Sequence, residues 1–306
     1  MRRNALARFP LQGRVVAVEG VRHMQIDCRG AGSPTVVLES GLDILGSLSW
    51  MSVHDSMART TRVCAYSRAG IMWSEPTGAR FDSHRAARDL RTALAAAGES
   101  SPFLMVAHSI GAAYAMRFTA AYPSEVAGLV LVDPSHPDQF TEFRKATGKS
   151  MQPSSTVVKV GAMLAWTGLL RMLPQQNSQS WPLPLSAASK AFLPTSLAAA
   201  GDEASAIAAT LADAGTIRNL GDRPVVVLSA VDEYPAATLG MMGLTREQGI
   251  RLQAAQHRLH ADLASMSRNG KHERVVHSSH YIQLDRPDVV ISAVDSVVTA
   301  LRSKHR

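Results

Sequence analysis

Ser109 is the residue around which a reaction can be built. It lies in Ala107-His108-Ser109-Ile110-Gly111, with the apolar run Phe103–Ala107 before it and an apolar-periodic run to Tyr122 after it. The first run reads as a buried strand and the second as a helix. Strand, small-x-Ser-x-Gly, helix is the context of a nucleophile elbow. So sharp a turn admits only small residues two positions before and after the serine, and Ala107 and Gly111 meet that demand. A serine hydroxyl is a weak nucleophile at its own pKa and needs a base within hydrogen-bond reach. That base is usually a histidine oriented by a carboxylate on its far nitrogen.

The chain carries eleven histidines, so order and context must choose among them. On this kind of elbow the partners follow in the order serine, acid, histidine. His280 comes just after the last expected strand, where groups at the C-terminal edge of a parallel sheet collect. It is the expected base, with His277 three residues earlier as its rival. His108 adjoins the nucleophile, but the turn aims it away from the hydroxyl, and packing is its expected role. Two carboxylates compete for the acid: Asp232, past the strand PVVVLS, and Asp133, closing the strand VAGLVLV. Asp232 is favoured and Asp133 is the alternative. The oxyanion of a tetrahedral intermediate also needs donors. The backbone N–H of Ile110, at the start of the elbow helix, and that of Leu42, beside Gly41, are the candidates.

These groups must be positioned by regular elements. GRVVAVEG (13–20) and HMQIDC (23–28) read as a hairpin, and TVVL (35–38) as a short buried strand. Ser47–Thr60 reads as a helix, RVCAY (62–66) as a strand, and Asp82 as the cap of a helix ending near Gly98. After the elbow helix, stopped by Pro123, comes the apolar run Val126–Val132. Apolar strands alternating with helices indicate a parallel sheet covered on both faces. The rhythm then breaks. Between Pro134 and Leu220 stand Val157–Leu173, a Pro/Gln/Ser-rich stretch at Pro174–Pro184 and an Ala-rich helix over Ser196–Ala214. It resumes with a strand at Pro224–Ser229, a helix at Thr245–Ser267, a short strand at Glu273–Val276 and a last helix at Asp285–Leu301. The expected organisation is a core of residues 1–134 and 221–306 with a helical cap at 135–220.

Composition bounds the rest. The 306 residues are 46% hydrophobic and 19% charged, enough for a sizeable core. No uninterrupted apolar stretch reaches the roughly 18 residues of a membrane span. The start MRRNALARFPLQG lacks the apolar region of a signal peptide. The net charge of +7 is scattered, with no basic helix face, so it reads as a solvated surface and not as a nucleic-acid site. Val157–Leu173, with Lys159 and Arg171 its only charges, reads as a cap helix over an apolar pocket. An interfacial helix is the less favoured alternative, and with it contact with a membrane surface. Two cysteines, Cys28 and Cys64, make no disulfide framework in so long a chain. Free thiols and a reducing, cytoplasmic setting are expected. No metal or cofactor is expected.

Several stretches resemble one bacterial branch of the α/β-hydrolase superfamily: VVLESGL (36–42), RVCAYSRAG (62–70), AHSIG (107–111), GLVLVDPSH (128–136) and SHYIQLDRP (279–287). The resemblance covers nearly the whole chain. It implies an α/β fold with an eight-stranded, mostly parallel sheet in the order 1-2-4-3-5-6-7-8 and a helical cap after strand six. That order makes the strands of Cys28 and Cys64 neighbours, their thiols still expected reduced. Three departures from the family pattern stand out: Ser67 where Asp is usual, Met72 where Gly is usual, and Ala107 where Gly is common. The implied activity is that of a serine hydrolase acting on carboxylic esters with an apolar group. An amidase, proline-type aminopeptidase or lactonase with the same triad is the alternative, and a non-catalytic ligand-binding protein on the same fold is the rival from another class.

Overall fold

The computed structural model describes residues 2–20, 22–152 and 183–303. Eight strands form one sheet: β1 (Arg14–Val18), β2 (Arg22–Arg29), β3 (Thr35–Glu39), β4 (Val63–Tyr66), β5 (Phe103–His108), β6 (Val126–Val132), β7 (Gly221–Ala230) and β8 (Ser267–Val275). Their order is β1-β2-β4-β3-β5-β6-β7-β8. The pairs β1–β2 and β2–β4 are antiparallel and all the others parallel. Every residue of β3, β4 and β5 is buried, as expected of central strands with helices on both faces. Residues of opposite parity along the strands feed two separate cores. Val37, Met105 and Leu129 belong to one, and Val36, Leu104 and Val130 to the other.

The helices follow local signals. The Asp82 carboxylate accepts from the N–H groups of His84 and Arg85 and starts Ser83–Ala96. Thr245 and Gln248 form a reciprocal capping box at the start of Arg246–Ser265. The elbow helix is Gly111–Ala121, and Pro287–Ser303 closes the chain. Between β6 and β7 lie the helices Gln139–Thr147 and Leu183–Ala214. The segment Val157–Leu173, and all but the last two residues of Pro174–Pro184, lie outside the described residues.

Three expectations need correction. Ser47–Thr60 is not one helix but a 3-10 turn, Gly46–Trp50, and a short helix, His54–Met57. Trp50, Val53 and Met57 are all fully buried, and the break lets the chain turn each of them inward. Strand β8 begins at Ser267, six residues before the expected Glu273, because it pairs with β7 along nearly its whole length. Its alternating polar face, NGKHER, hid that start. The third correction concerns the cysteines. Cys28 and Cys64 stand directly opposite each other on antiparallel neighbours, with Cα atoms 4.0 Å apart, and they form a disulfide. The expectation of free thiols fails, and a reducing compartment loses the observation it rested on. Among the described residues, no helix is long and apolar enough to cross a membrane.

Candidate active site

The elbow is built at the end of β5. Ser109 adopts φ = +54°, in the left-handed region that non-glycine residues rarely enter. The turn is tied to the end of β6 and to the loop after it: Ser109 N–H donates to Val132 C=O at 3.1 Å, and Ser109 C=O accepts from Ser135 N–H at 2.9 Å. The need for a small residue two positions on is visible in space. A Cβ on Gly111 would lie 2.6 Å from the Ser40 carbonyl oxygen and 2.9 Å from that of Glu39. Ala107, two positions earlier, is fully buried within one of the two cores and leaves room for the turn.

The His280 loop docks against this elbow through His108. The Nε2–H of His108 donates to the His280 carbonyl at 2.9 Å, and the two rings lie 4.6 Å apart. A carbonyl only accepts, so the His108 proton sits on Nε2. Burial, with help from the neighbouring His280, pushes the His108 pKa down to about 3, so its ring stays neutral. The packing role expected of His108 thus has a specific content, which is to hold the main chain of its neighbour.

The carboxylate on His280 belongs to Asp133 and not to the favoured Asp232. Asp133 Oδ2 lies 2.6 Å from His280 Nδ1. It also accepts from Gln256 Nε2 at 3.0 Å, while Oδ1 accepts from the Ala230 N–H at 3.0 Å. Burial works to raise the Asp133 pKa. The hydrogen bond and charge of His280, with His260 and the Ala230 N–H, more than offset it, and the pKa lies below its ordinary value. An ionised acceptor places the His280 proton on Nδ1 and leaves Nε2 with its lone pair. Asp232 is exposed, and its Oδ1 accepts from the backbone N–H of His277 at 2.8 Å. It fixes the turn before His280 and does not touch the ring. His277, the rival base, sits at φ = +58° in that same turn.

Both carboxylates close adjacent parallel strands on one sheet edge, so chain order could not separate them. The difference is that Asp133 immediately follows β6, beside the elbow, at φ = +42°. Two supporting residues carried no sequence signal. Gln256 is held by the Tyr234 hydroxyl, which donates to its Oε1 at 2.8 Å. His260, its pKa pushed down to about 4 by burial, donates through Nε2 to the Pro134 carbonyl.

Ile110 follows the serine in the chain, and the turn that holds Leu42 approaches it from the end of β3. A Cβ on Gly41 would lie 3.1 Å from Ser109 Cβ, which places the start of the Leu42 turn directly against the elbow. Among the described residues, neither the Leu42 nor the Ile110 N–H has a hydrogen-bond acceptor. Their side chains pack together with Ile207 and Leu211 of the inserted helix Leu183–Ala214. Asp43 fixes the turn downstream by accepting from Leu45 N–H, Gly46 N–H and Ser49 Oγ.

The departures at Ser67 and Met72 are absorbed locally. Ser67 Oγ donates to Gln25 Oε1 at 2.8 Å and accepts from Ser47 N–H. Met72 takes φ = +47°, which explains why glycine is usual there. Its N–H donates to Ser196 Oγ, and its side chain joins Trp73 and Phe192 in a cluster that fastens the inserted helix to the segments following β3 and β4.

Two cavities meet at the His280–Tyr281 turn, and Tyr281 lines both. One, of about 700 Å³, is bounded by Ile110, Asp133, Phe140, Phe143, Tyr234 and His280. The other, of about 340 Å³, is bounded by Leu42, Leu45, Leu48, His108 and Leu197.

A model of the family described as "Alpha/beta hydrolase family" matches residues 30–293. The curated protein YbdG of Bacillus subtilis, described as uncharacterized, is 27% identical over 134 residues, which is 44% of this chain and 41% of that protein. A Schizosaccharomyces pombe protein, C23C11.06c, is 46% identical over 81 residues, 26% of this chain and 15% of its own. Both matches span less than half of those relatives. Among solved structures, a putative epoxide hydrolase from Pseudomonas aeruginosa superposes with a TM-score of 0.67 at 18% identity, covering 97% of this chain and 98% of that one. A thermophilic esterase from Thermogutta terrifontis gives 0.60 at 16%, covering 95% and 99%. Est816, described as an N-acyl homoserine lactone degrading enzyme, gives 0.62 at 16%, covering 92% and 99%. At such identities these likenesses show the fold.

Proposed function

The chain belongs to the alpha/beta hydrolase family, and from that premise we propose that it is a serine hydrolase cleaving carboxylic esters with an apolar group. The observation that carries the reading is the 2.6 Å contact of Asp133 with His280 Nδ1, in a loop that His108 docks beside Ser109. In this reading Ser109 Oγ attacks the ester carbonyl and passes its proton to His280 Nε2. The Leu42 and Ile110 N–H groups receive the oxyanion. Collapse expels the alcohol, which takes the proton from His280 and leaves an acyl-Ser109. Water, deprotonated by His280, then attacks the acyl carbon, and the acid departs as Ser109 is restored. Asp133 holds the tautomer and stabilises the imidazolium.

A serine at the nucleophile position disfavours the epoxide-opening chemistry named for one structural neighbour, which begins from a carboxylate nucleophile. The apolar side chains bounding both cavities favour an ester with apolar groups on either side of the scissile bond. The test is hydrolysis of p-nitrophenyl esters of increasing acyl length by wild type and Ser109→Ala. The expected outcome is a loss of at least about 10³-fold in kcat/KM on Ser109→Ala. Equal turnover by the two proteins, or none by wild type on any chain length, overturns the reading.

A further inference from the structure

Arg68 is fully buried, and every N–H of its guanidinium is used. Nη1 donates to Glu39 Oε1 at 2.6 Å, the Ser40 carbonyl at 2.7 Å and Ser40 Oγ at 3.1 Å. Nη2 donates to the Gly41 carbonyl at 2.6 Å and to Glu203 Oε2 at 2.8 Å, and Nε donates to Glu203 Oε1 at 2.9 Å. The plane also lies over the Tyr114 ring, 4.9 Å from its centroid. One side chain therefore joins three things: the end of β3, the turn that leads to Leu42, and the inserted helix between β6 and β7.

The Gly41 contact has a geometric consequence. Among the described residues the cis peptide bonds are Ser33–Pro34 and Ser101–Pro102, so Gly41–Leu42 is trans. In a planar trans peptide the C=O and the N–H point in opposite directions. Holding the Gly41 oxygen therefore fixes the direction of the Leu42 N–H, away from Arg68. This plane cannot rotate without breaking the charge-assisted hydrogen bond to the Gly41 oxygen, and the preceding Ser40–Gly41 plane is held by the same guanidinium through the Ser40 carbonyl. Glu203 in turn grips Arg68 bidentately from the inserted helix. We infer that Arg68 is a positioning residue that aims the Leu42 N–H at the oxyanion, and that Glu203 makes this aim depend on the seating of the inserted helix. The inference rests on the ester-hydrolase reading for its catalytic meaning.

Arg68→Lys tests it while keeping a buried cation between Glu39 and Glu203. An ammonium is a point donor and cannot reproduce the planar fork that holds two carbonyls and a bidentate carboxylate. On a p-nitrophenyl ester, kcat per active site, titrated with a fluorophosphonate, falls about 100-fold with KM within about threefold, the signature of a lost oxyanion donor. Glu203→Gln, which keeps one of its two hydrogen bonds, loses about 3- to 10-fold in the same direction. A merely structural role lowers the titrated fraction and leaves kcat per site unchanged, and that result overturns the inference. The crystal structure of Arg68→Lys decides independently of turnover. A rotated Gly41–Leu42 peptide supports the inference, and an unmoved one overturns it. If wild type hydrolyses no ester, the functional reading fails, and this crystallographic comparison still decides what Arg68 holds.

Discussion

Two buried carboxylates flank the elbow strand, and they behave in opposite ways. Glu39 ends β3 and pairs in register with Ala107, and Asp133 follows β6 beside His108. Both are nearly inaccessible, at 1% and 2% exposure. Burial pushes the Glu39 pKa up to about 7, in spite of Arg68 and the Tyr66 hydroxyl, while Asp133 is held below its ordinary value. Burial works the same way on both, so the difference lies in the donors. Asp133 collects His280, Gln256 and a backbone N–H for itself. Glu39 shares its one cation with Glu203, whose like charge stands nearby. The β6 side is built to keep an anion charged against a histidine. The β3 side is built to keep a guanidinium in place, with carboxylates as its counter-ions. Depth in the protein thus says little about which acid stays ionised, and the hydrogen-bond inventory says most of it.

The largest effect is expected on the β6 side, and it is measured against Asp232, the carboxylate that follows the neighbouring strand β7. Asp133→Asn is expected to lower kcat about 10³- to 10⁴-fold, because an amide no longer enforces the His280 tautomer. Asp232→Asn stays within about threefold, since among the described residues its carboxylate meets only the His277 N–H. Steady-state kinetics on one ester checks both, and the reverse ranking assigns the acid to Asp232.

A smaller effect is expected on stability. Glu39 has a folded pKa of about 7 against an ordinary 4.5, so between those values the folded chain binds a proton that the unfolded chain lacks. Unfolding free energy from this group therefore falls as pH rises from about 4.5 to about 7. His108 and His260 act the other way. Their folded values of about 3 and about 4 lie below 6.5, so their contribution grows with pH up to about 6.5. The difference between wild type and Glu39→Gln isolates the carboxylate: urea denaturation at pH 5 and 7.5 should show wild type losing about 2–3 kcal/mol relative to the variant. Parallel pH dependence would show that Glu39 stays ionised throughout.

A modest effect is expected at Gln256. Gln256→Ala removes one of three donors on Asp133 and leaves the Tyr234 hydroxyl without its acceptor. A kcat loss of about 3- to 10-fold and a stability loss of about 1 kcal/mol follow. No change in kcat would mean that His280 and Ala230 alone hold the acid.

The elbow and most of the strands were legible because they rest on local signals, whereas the sheet order was implied only by the resemblance of whole stretches to the α/β-hydrolase superfamily. Apolar runs such as Phe103–Ala107, a serine between Ala107 and Gly111, and the cap at Asp82 each declare themselves within a few residues. The start of β8 was not legible, because NGKHER lies on an edge strand whose pairing comes from β7 and not from its own hydrophobicity. Nor was the cysteine bond. Adjacency of the two strands was expected, but register decides whether two thiols meet, and Cys28 opposite Cys64 is a matter of one residue.

What the sequence determined by itself is what can be written as order along a chain: a serine on a tight turn, a histidine after the last strand, and a parallel sheet to carry both. Tertiary structure decided which of two equally placed aspartates reaches His280. It also gave Met72 a left-handed backbone and joined Arg68 to Glu203 across 135 residues. Those outcomes depend on side chains meeting over distances at which chain order carries no information. They are settled by where burial leaves a charge and which donors are at hand to meet it.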